Sequence, residues 1–230
     1  MSRIFIHVEG QTEEDFVNNV LAEHLYKCGY TDVSARLIGN PRQHDRRGGI
    51  QSWSSVRTEI LNHLKDDVAC LATTMVDYYG MPKTGPRAWP GREGIDHLKP
   101  ADRAAAVERA LLADVCKALG EPEEGCRFIP FVTMHEFEAL LFSDPARFAS
   151  SIGRSDLSPQ FRAIRDEFAT PEDIDDSPQT APSKRVIGLM PAYQKPLMGV
   201  LAALDIGLAT IQAECPLFAA WVGRLEQRCA

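Results

Sequence analysis

Two carboxylates stand where apolar runs end, and that placement suits metal-assisted chemistry on a phosphorylated substrate. Glu9 follows residues 3–8, whose Ile4, Phe5, Ile6 and Val8 read as a β-strand. It precedes residues 14–27, where Phe16, Val17, Val20, Leu21 and Leu25 fall at helical spacing. Asp77 ends the run of residues 68–76, which lacks polar alternation and so suits a strand buried on both faces. Both acids should emerge at the carboxyl edge of a sheet, the edge at which open α/β sheets bind ligands. A hard cation typically takes one or two carboxylates and fills its shell with water and substrate phosphates. Glu9 and Asp77 together meet that requirement for Mg²⁺ or Mn²⁺.

Asp77 and the residues around Glu9 also have local roles to weigh against this one. Thr12 with Asp15 fits an N-terminal capping box, and Glu13 and Glu14 suit the positive end of a helix dipole. Gly10 fits a tight turn, since it tolerates positive φ and lets another group approach the backbone. Asp77 before Tyr78-Tyr79-Gly80-Met81-Pro82 also reads as a loop start. Glu9 has no such alternative, being neither a cap nor a first-turn residue.

Further candidates lie in His135-Glu136-Phe137-Glu138, read as the start of a helix over residues 135–142. On a helix Glu136 and Glu138 would lie about 200° apart, which excludes their sharing one metal. Thr133 with Glu136 fits a capping box, so Glu138 is the preferred ligand of the two and His135 a phosphate or water contact. Cations gather in loops. Residues 40–49 carry Arg42, His44, Arg46 and Arg47, and residues 81–99 carry Lys83, Arg87, Arg92 and Lys99 around Trp89. Arginine or lysine contacts position phosphates without reading sequence, and an aromatic among them can stack on a base. Ser183-Lys184-Arg185 stands at a predicted helix start, where backbone N–H groups and two cations suit an anion.

The elements that must position these residues alternate. Predicted strands cover residues 3–8, 32–38, 68–76 and 127–132; predicted helices cover 14–27, 53–64, 100–119 and 135–142. That order predicts an α/β fold with a mainly parallel sheet covered by helices on both faces. From residue 144 onward the pattern is helical, with pieces at 159–168, 183–190, 197–204 and 216–227. A division follows: a sheet domain over residues 1–143 and a helical C-terminal extension over 144–230.

Composition narrows the function classes. The 230 residues are 44% hydrophobic and 25% charged, with a net charge of −7. That balance excludes a protein that coats nucleic acid by electrostatics alone. No run approaches the roughly 18 apolar residues of a membrane span, and a cytoplasmic protein is expected. The six cysteines form no C-x-x-C pair and are expected to be reduced core residues.

Glu9-Gly10-x-Thr12-Glu13 after the first strand, with Asp77 after a later one, resembles the two motifs of the Toprim fold of topoisomerases, primases and overcoming-lysogenization-defect nucleases. Asp77-Tyr78-Tyr79-Gly80, His135-Glu136-Phe137-Glu138-Ala139-Leu140, Thr180-Ala181-Pro182-Ser183-Lys184-Arg185 and Tyr193 with Lys195 are similar to an uncharacterised bacterial Toprim-like family often encoded beside an ATPase. The resemblance implies metal-dependent phosphodiester chemistry, with Glu9 as metal ligand or general acid/base and an Asp-x-Asp pair holding Mg²⁺. It further implies a nuclease acting on nucleic acid, DNA ahead of RNA, as the effector of an ABC- or AAA-type ATPase partner in antiviral defence. A homo-oligomer is compatible with this. Tyr79 stands where the second aspartate belongs, and a phenol is a poor Mg²⁺ ligand at neutral pH. Either another acid completes the site, or the chain is a non-catalytic docking or nucleic-acid-sensing subunit. A small nucleotide phosphatase is a third reading.

Overall fold

The sheet begins with the run that leads to Glu9. The computed structural model describes residues 2–39, 50–174 and 180–229. In it β1 (Arg3–Val8) lies between β2 (Asp32–Leu37) and β3 (Cys70–Asp77), and β4 (Phe128–Ile129) and β5 (Val132–Thr133) extend along the far side of β3. Every pairing is parallel. From β1 the chain moves out to β2, then crosses back past β1 to β3. The winding reverses between β1 and β3, and a crevice opens there at the carboxyl ends of the strands. Val8 pairs with Met75, so Glu9 and Asp77 leave the sheet side by side at that crevice.

Both sheet faces are covered, which is why β3 carries no polar alternation. Leu71 and Met75 join one apolar cluster with α1 (Gln11–Phe16), the π-helical turn Val17–Leu21 and α2 (Ala22–Cys28). Ala72 and Val76 join the other with α3 (Trp53–Asp66) and α4 (Pro100–Leu119). As predicted, α4 has proline at its first position and closes at Gly120, whose φ of 72° is left-handed.

The strand predicted at residues 127–132 divides in two, because Pro130 has no N–H to give the ladder. The Thr74 side chain bridges the gap: its hydroxyl donates to Phe131 O and accepts from Phe131 N, both at 3.0 Å.

Beyond β5 the described residues hold no strand. They form α5 (Glu138–Leu141), α6 (Pro145–Ser151), α7 (Ser158–Asp166), α8 (Pro182–Leu189), α9 (Lys195–Ile206), α10 (Leu208–Glu214) and α11 (Pro216–Gln227). These helices share the apolar cluster of the first face. Trp221 of α11 stacks on Phe131 at 4.5 Å and donates from Nε1 to Thr73 Oγ1 at 2.9 Å, in the middle of β3. No single helix among the described residues is long and apolar enough to cross a membrane. One cysteine expectation is overturned: Cys116 and Cys126 form a disulfide where α4 turns back towards β4. Cys28, Cys70, Cys215 and Cys229 are free thiols.

Candidate functional site

At the crevice the backbone of β3 holds the carboxylate that leaves β1: Asp77 N donates to Glu9 Oε2 at 3.4 Å. The chain after Asp77 turns at once through Tyr78–Gly80. A Cβ on Gly80 would sit 3.2 Å from Ile50 and 3.4 Å from Glu9 Oε1, so the glycine lets this turn close over Glu9.

A third acid arrives from α1. Its N-cap is Gly10, with no side-chain cap, so the predicted Thr12 box does not form. Gly10 does not use the positive φ that it tolerates; at φ −142° and ψ 179° it is extended. Its function is spatial. A Cβ there would lie 3.0 Å from Glu13 Oε2, and Glu13 is only 7% exposed.

Thr133, opposite Asp77 in the sheet, leads into residues 134–137, which are not helical. The apolar spacing of Phe137, Leu140 and Leu141 mimics a longer helix, but α5 begins only at Glu138. The expectation that Glu136 and Glu138 point apart therefore fails. Both face Lys195 Nζ, at 3.7 Å for Glu136 and 3.2 Å for Glu138. The other oxygen of Glu136 accepts from Ser183 N at 2.9 Å, so the anion at the Ser183-Lys184-Arg185 helix start is the chain's own carboxylate. The predicted Thr133–Glu136 box is likewise replaced by this long-range cap.

Lys195 opens α9, which approaches α1 through Gly199. A Cβ there would meet Thr12 at 3.2 Å, Tyr193 Oη at 3.3 Å and Phe137 at 3.5 Å. His135 is buried beside the ring of Tyr79 at 5.5 Å, and Tyr79 itself is 45% exposed.

Among the described residues, five carboxylates thus gather with one cation, Lys195. Burial and then the Glu13 and Glu9 charges hold Asp77 well above the usual carboxylate range. Burial pushes Glu138 up to about 7 against the pull of Lys195, and it also raises Glu9 and Glu13. Burial alone would lower Lys195, but Glu138 and Glu136 outweigh it and leave the ammonium raised. Burial and the same two acids raise the Tyr193 phenol. Within this charge cluster Asp77 Oδ1 and Glu138 Oε1 are buried with no hydrogen-bond partner.

Buried oxygens with unfilled lone pairs, on groups that resist ionising unless a cation is supplied, fit a hard divalent ion. The carboxylates alone do not close a cage. Among the described residues the one group of three ligating side chains with atoms within 4.8 Å of one another is His24, Cys28 and Glu226. An ion held by the acids would need water or substrate oxygens, as Mg²⁺ usually does.

Among the described residues, the predicted basic side chains do not join the cluster. Lys83 pairs with Asp96 at 2.6 Å, Arg87 donates to Ile50 O at 2.8 Å, and Arg92 lies 3.6 Å over the Tyr78 ring. Trp89, expected to offer a base-stacking face, is 2% exposed and donates to Gln51 O at 2.9 Å. Lys184 is exposed on α8, and Arg185 bonds Thr180 O at 2.8 Å and Glu167 at 3.2 Å. Arg42, His44, Arg46 and Arg47 lie outside the described residues.

Sequence reasoning assigned no site role to Glu13, Lys195 or Tyr193. For Glu13 the helix dipole was a sufficient local explanation; its place one helical turn after Glu9 was the available signal. Tyr193 and Lys195 stood out only within a motif.

No curated protein and no solved structure matches the chain. The profile of one family does, over residues 8–226, almost the whole length. The chain belongs to that family, described as a domain of unknown function, DUF4276.

Proposed function

We propose that the crevice between β1 and β3 is a Toprim-type active site that uses Mg²⁺ or Mn²⁺ to cleave phosphodiesters in nucleic acid, DNA ahead of RNA. The observation that carries this reading is the pair of buried, unpartnered carboxylate oxygens on Asp77 and Glu138 beside Glu9. Asp77 and Glu9, with Glu138 alongside and water or substrate oxygens completing the shell, would hold the ion, which when bound would offset their charge and polarise a phosphate. Glu138, at about 7, is poised to take up or release a proton near neutral pH. Lys195, 40% exposed at its side chain, offers a lasting positive charge to a phosphate oxygen. Glu136 fixes the start of α8 and helps to hold Lys195.

The chain's net charge of −7 opposes binding to a nucleic acid through its phosphates, so an ATPase partner in the cytoplasm holds the substrate and the chain acts as its effector. One observation favours a second reading. Tyr79 occupies the place of the second Toprim aspartate and is half-exposed against His135, which suits a docking or sensing subunit without catalysis.

The test is cleavage of single- and double-stranded DNA and RNA by the chain with Mg²⁺ or Mn²⁺, alone and with the ATPase encoded beside it. Glu9→Gln should remove the cleavage, since the amide keeps the size but neither binds the ion nor accepts a proton. Activity of the assembly that is unchanged by Glu9→Gln refutes the catalytic reading and leaves the docking one.

A further inference from the structure

A second group of ligating side chains lies at the opposite edge of the sheet. The first helical stretch runs back along β1, so its last residue, Cys28, is about 27 Å of helix away from the turn after Glu9. Here α2 meets the end of α11. His24 and Cys28, four residues apart, share one face of α2. His24 Nε2 lies 3.7 Å from Cys28 Sγ and 2.6 Å from Glu226 Oε1. The three ligand atoms all fall within 4.8 Å of one another.

A fourth donor is adjacent. Cys229, three residues beyond Glu226, places its sulfur 3.3 Å from where a Cβ on Gly29 would be, directly beside Cys28. Gly29 is in the left-handed region at φ 113°, so α2 ends there and leaves space for this thiol. Tyr30 Oη donates to Leu225 O at 2.8 Å and fixes the two helix ends against each other.

The donor set is one imidazole, two thiols and one carboxylate. A hard ion would not select it, but it suits tetrahedral zinc. With Zn–S near 2.3 Å and Zn–N near 2.0 Å, tetrahedral angles put sulfur and nitrogen about 3.5 Å apart. The observed 3.7 Å is close to that. The carboxylate and imidazole, now at hydrogen-bond distance, would separate by less than about 1 Å to reach their own tetrahedral spacing. Cys229 stands outside that group of three and would turn towards it on binding; with its thiol as the fourth ligand the protein would supply every donor, as in structural zinc sites.

We propose that His24, Cys28, Glu226 and Cys229 form a structural zinc site that fastens the C-terminal helix to the first helix of the fold. The thiols bind as thiolates, so zinc uptake releases protons.

The test uses tag-free, fully reduced protein carrying Glu9→Gln and Asp77→Asn, so that the carboxylate crevice does not contribute. Titration with Zn²⁺ against a chromophoric chelator should show one tightly held equivalent, a higher melting temperature, and protection of Cys28 and Cys229 from a thiol reagent. Co²⁺ should give the thiolate charge-transfer absorption of a tetrahedral site. Cys28→Ser and Glu226→Gln should each weaken zinc at least tenfold. Failure of the reduced protein to take up one equivalent overturns the site, as does affinity unchanged by Cys28→Ser. Either result would mean that His24 and Glu226 form only a hydrogen-bonded pair.

Discussion

Replacing Glu138 with glutamine should make the metal-free protein more stable above neutral pH, although it removes a group assigned to the active site. Glu138 is 2% exposed and one of its oxygens has no partner. Burial lifts it from an ordinary 4.5 to about 7, even with Lys195 at 3.2 Å. That rise of about 2.5 units, at about 1.4 kcal/mol each, means the ionised form costs the fold about 3 kcal/mol. The sign follows from proton binding. Between pH 4.5 and 7 the folded state holds a proton that the unfolded state has lost, so the Glu138 contribution is complete below 4.5 and is lost as pH rises through 7. Glutamine does not titrate. The variant should therefore melt close to wild type near pH 4.5 and about 6 to 12 °C higher at pH 8, since 1 kcal/mol shifts a domain of this size by about 2 to 4 °C. Mn²⁺ should narrow the gap at pH 8 by stabilising wild type more than the variant. Thermal melts across pH 4.5–8, with and without Mn²⁺, read this directly. A variant destabilised equally at both ends of the range would show that Glu138 is an ordinary ion-pair partner of Lys195, and the reasoning from its unfilled oxygen would fail.

Two further outcomes follow from the geometry. Glu172 is buried at the start of α11, where it accepts from Leu217 N and Phe218 N at 2.8 Å, yet burial raises it to about 7. Its stabilising effect, like that of Glu138, falls as pH rises through 7. Burial lowers His7 to about 3, so its contribution is present above 6.5 and lost below. With two glutamates falling against one histidine rising, wild-type melting temperature should peak near pH 4.5, decline towards pH 7 and level off by pH 8; a steady rise from pH 5 to 7 in metal-free buffer would contradict the assignment. Gly10→Ala should cost under about 1 kcal/mol in denaturant melts, because the extended backbone accepts alanine and only the cap preference is lost. It should nevertheless cut the Mn²⁺-induced melting shift, since the new methyl displaces Glu13. A large loss of stability would indicate a strained backbone at Gly10 instead.

Much of the fold could be read in the sequence because its signals were local. The unalternating run before Asp77 required a strand covered on both faces, and Pro100 with Gly120 marked α4 to the residue. Errors came where tertiary structure overrode a local pattern. Residues 134–137 share apolar spacing with a helix, but the chain must first leave β5 at the crevice, and α5 starts a turn late. Trp89 sits among cations in sequence, yet its indole fills the core between Gln51 and Trp53. The Cys116–Cys126 bond depends on α4 returning to β4, which no spacing rule for cysteine pairs expresses.

The candidate site divides along the same line. Glu9 and Asp77 were readable because a strand's end fixes where its next residue goes, and the parallel register of β1 with β3 then makes them neighbours. Lys195 was not readable, because it meets Glu138 across 57 residues, once α9 has closed on α1 through Gly199. That distant cation determines what the crevice can do. Without it, the burial that already raises Asp77, Glu9, Glu13 and Glu138 would go unopposed, and a metal would have to displace protons from them. With it, Glu136 and Glu138 are balanced in part, and the remaining demand for positive charge falls on Asp77 and Glu9, the two acids that the switch point itself brings together.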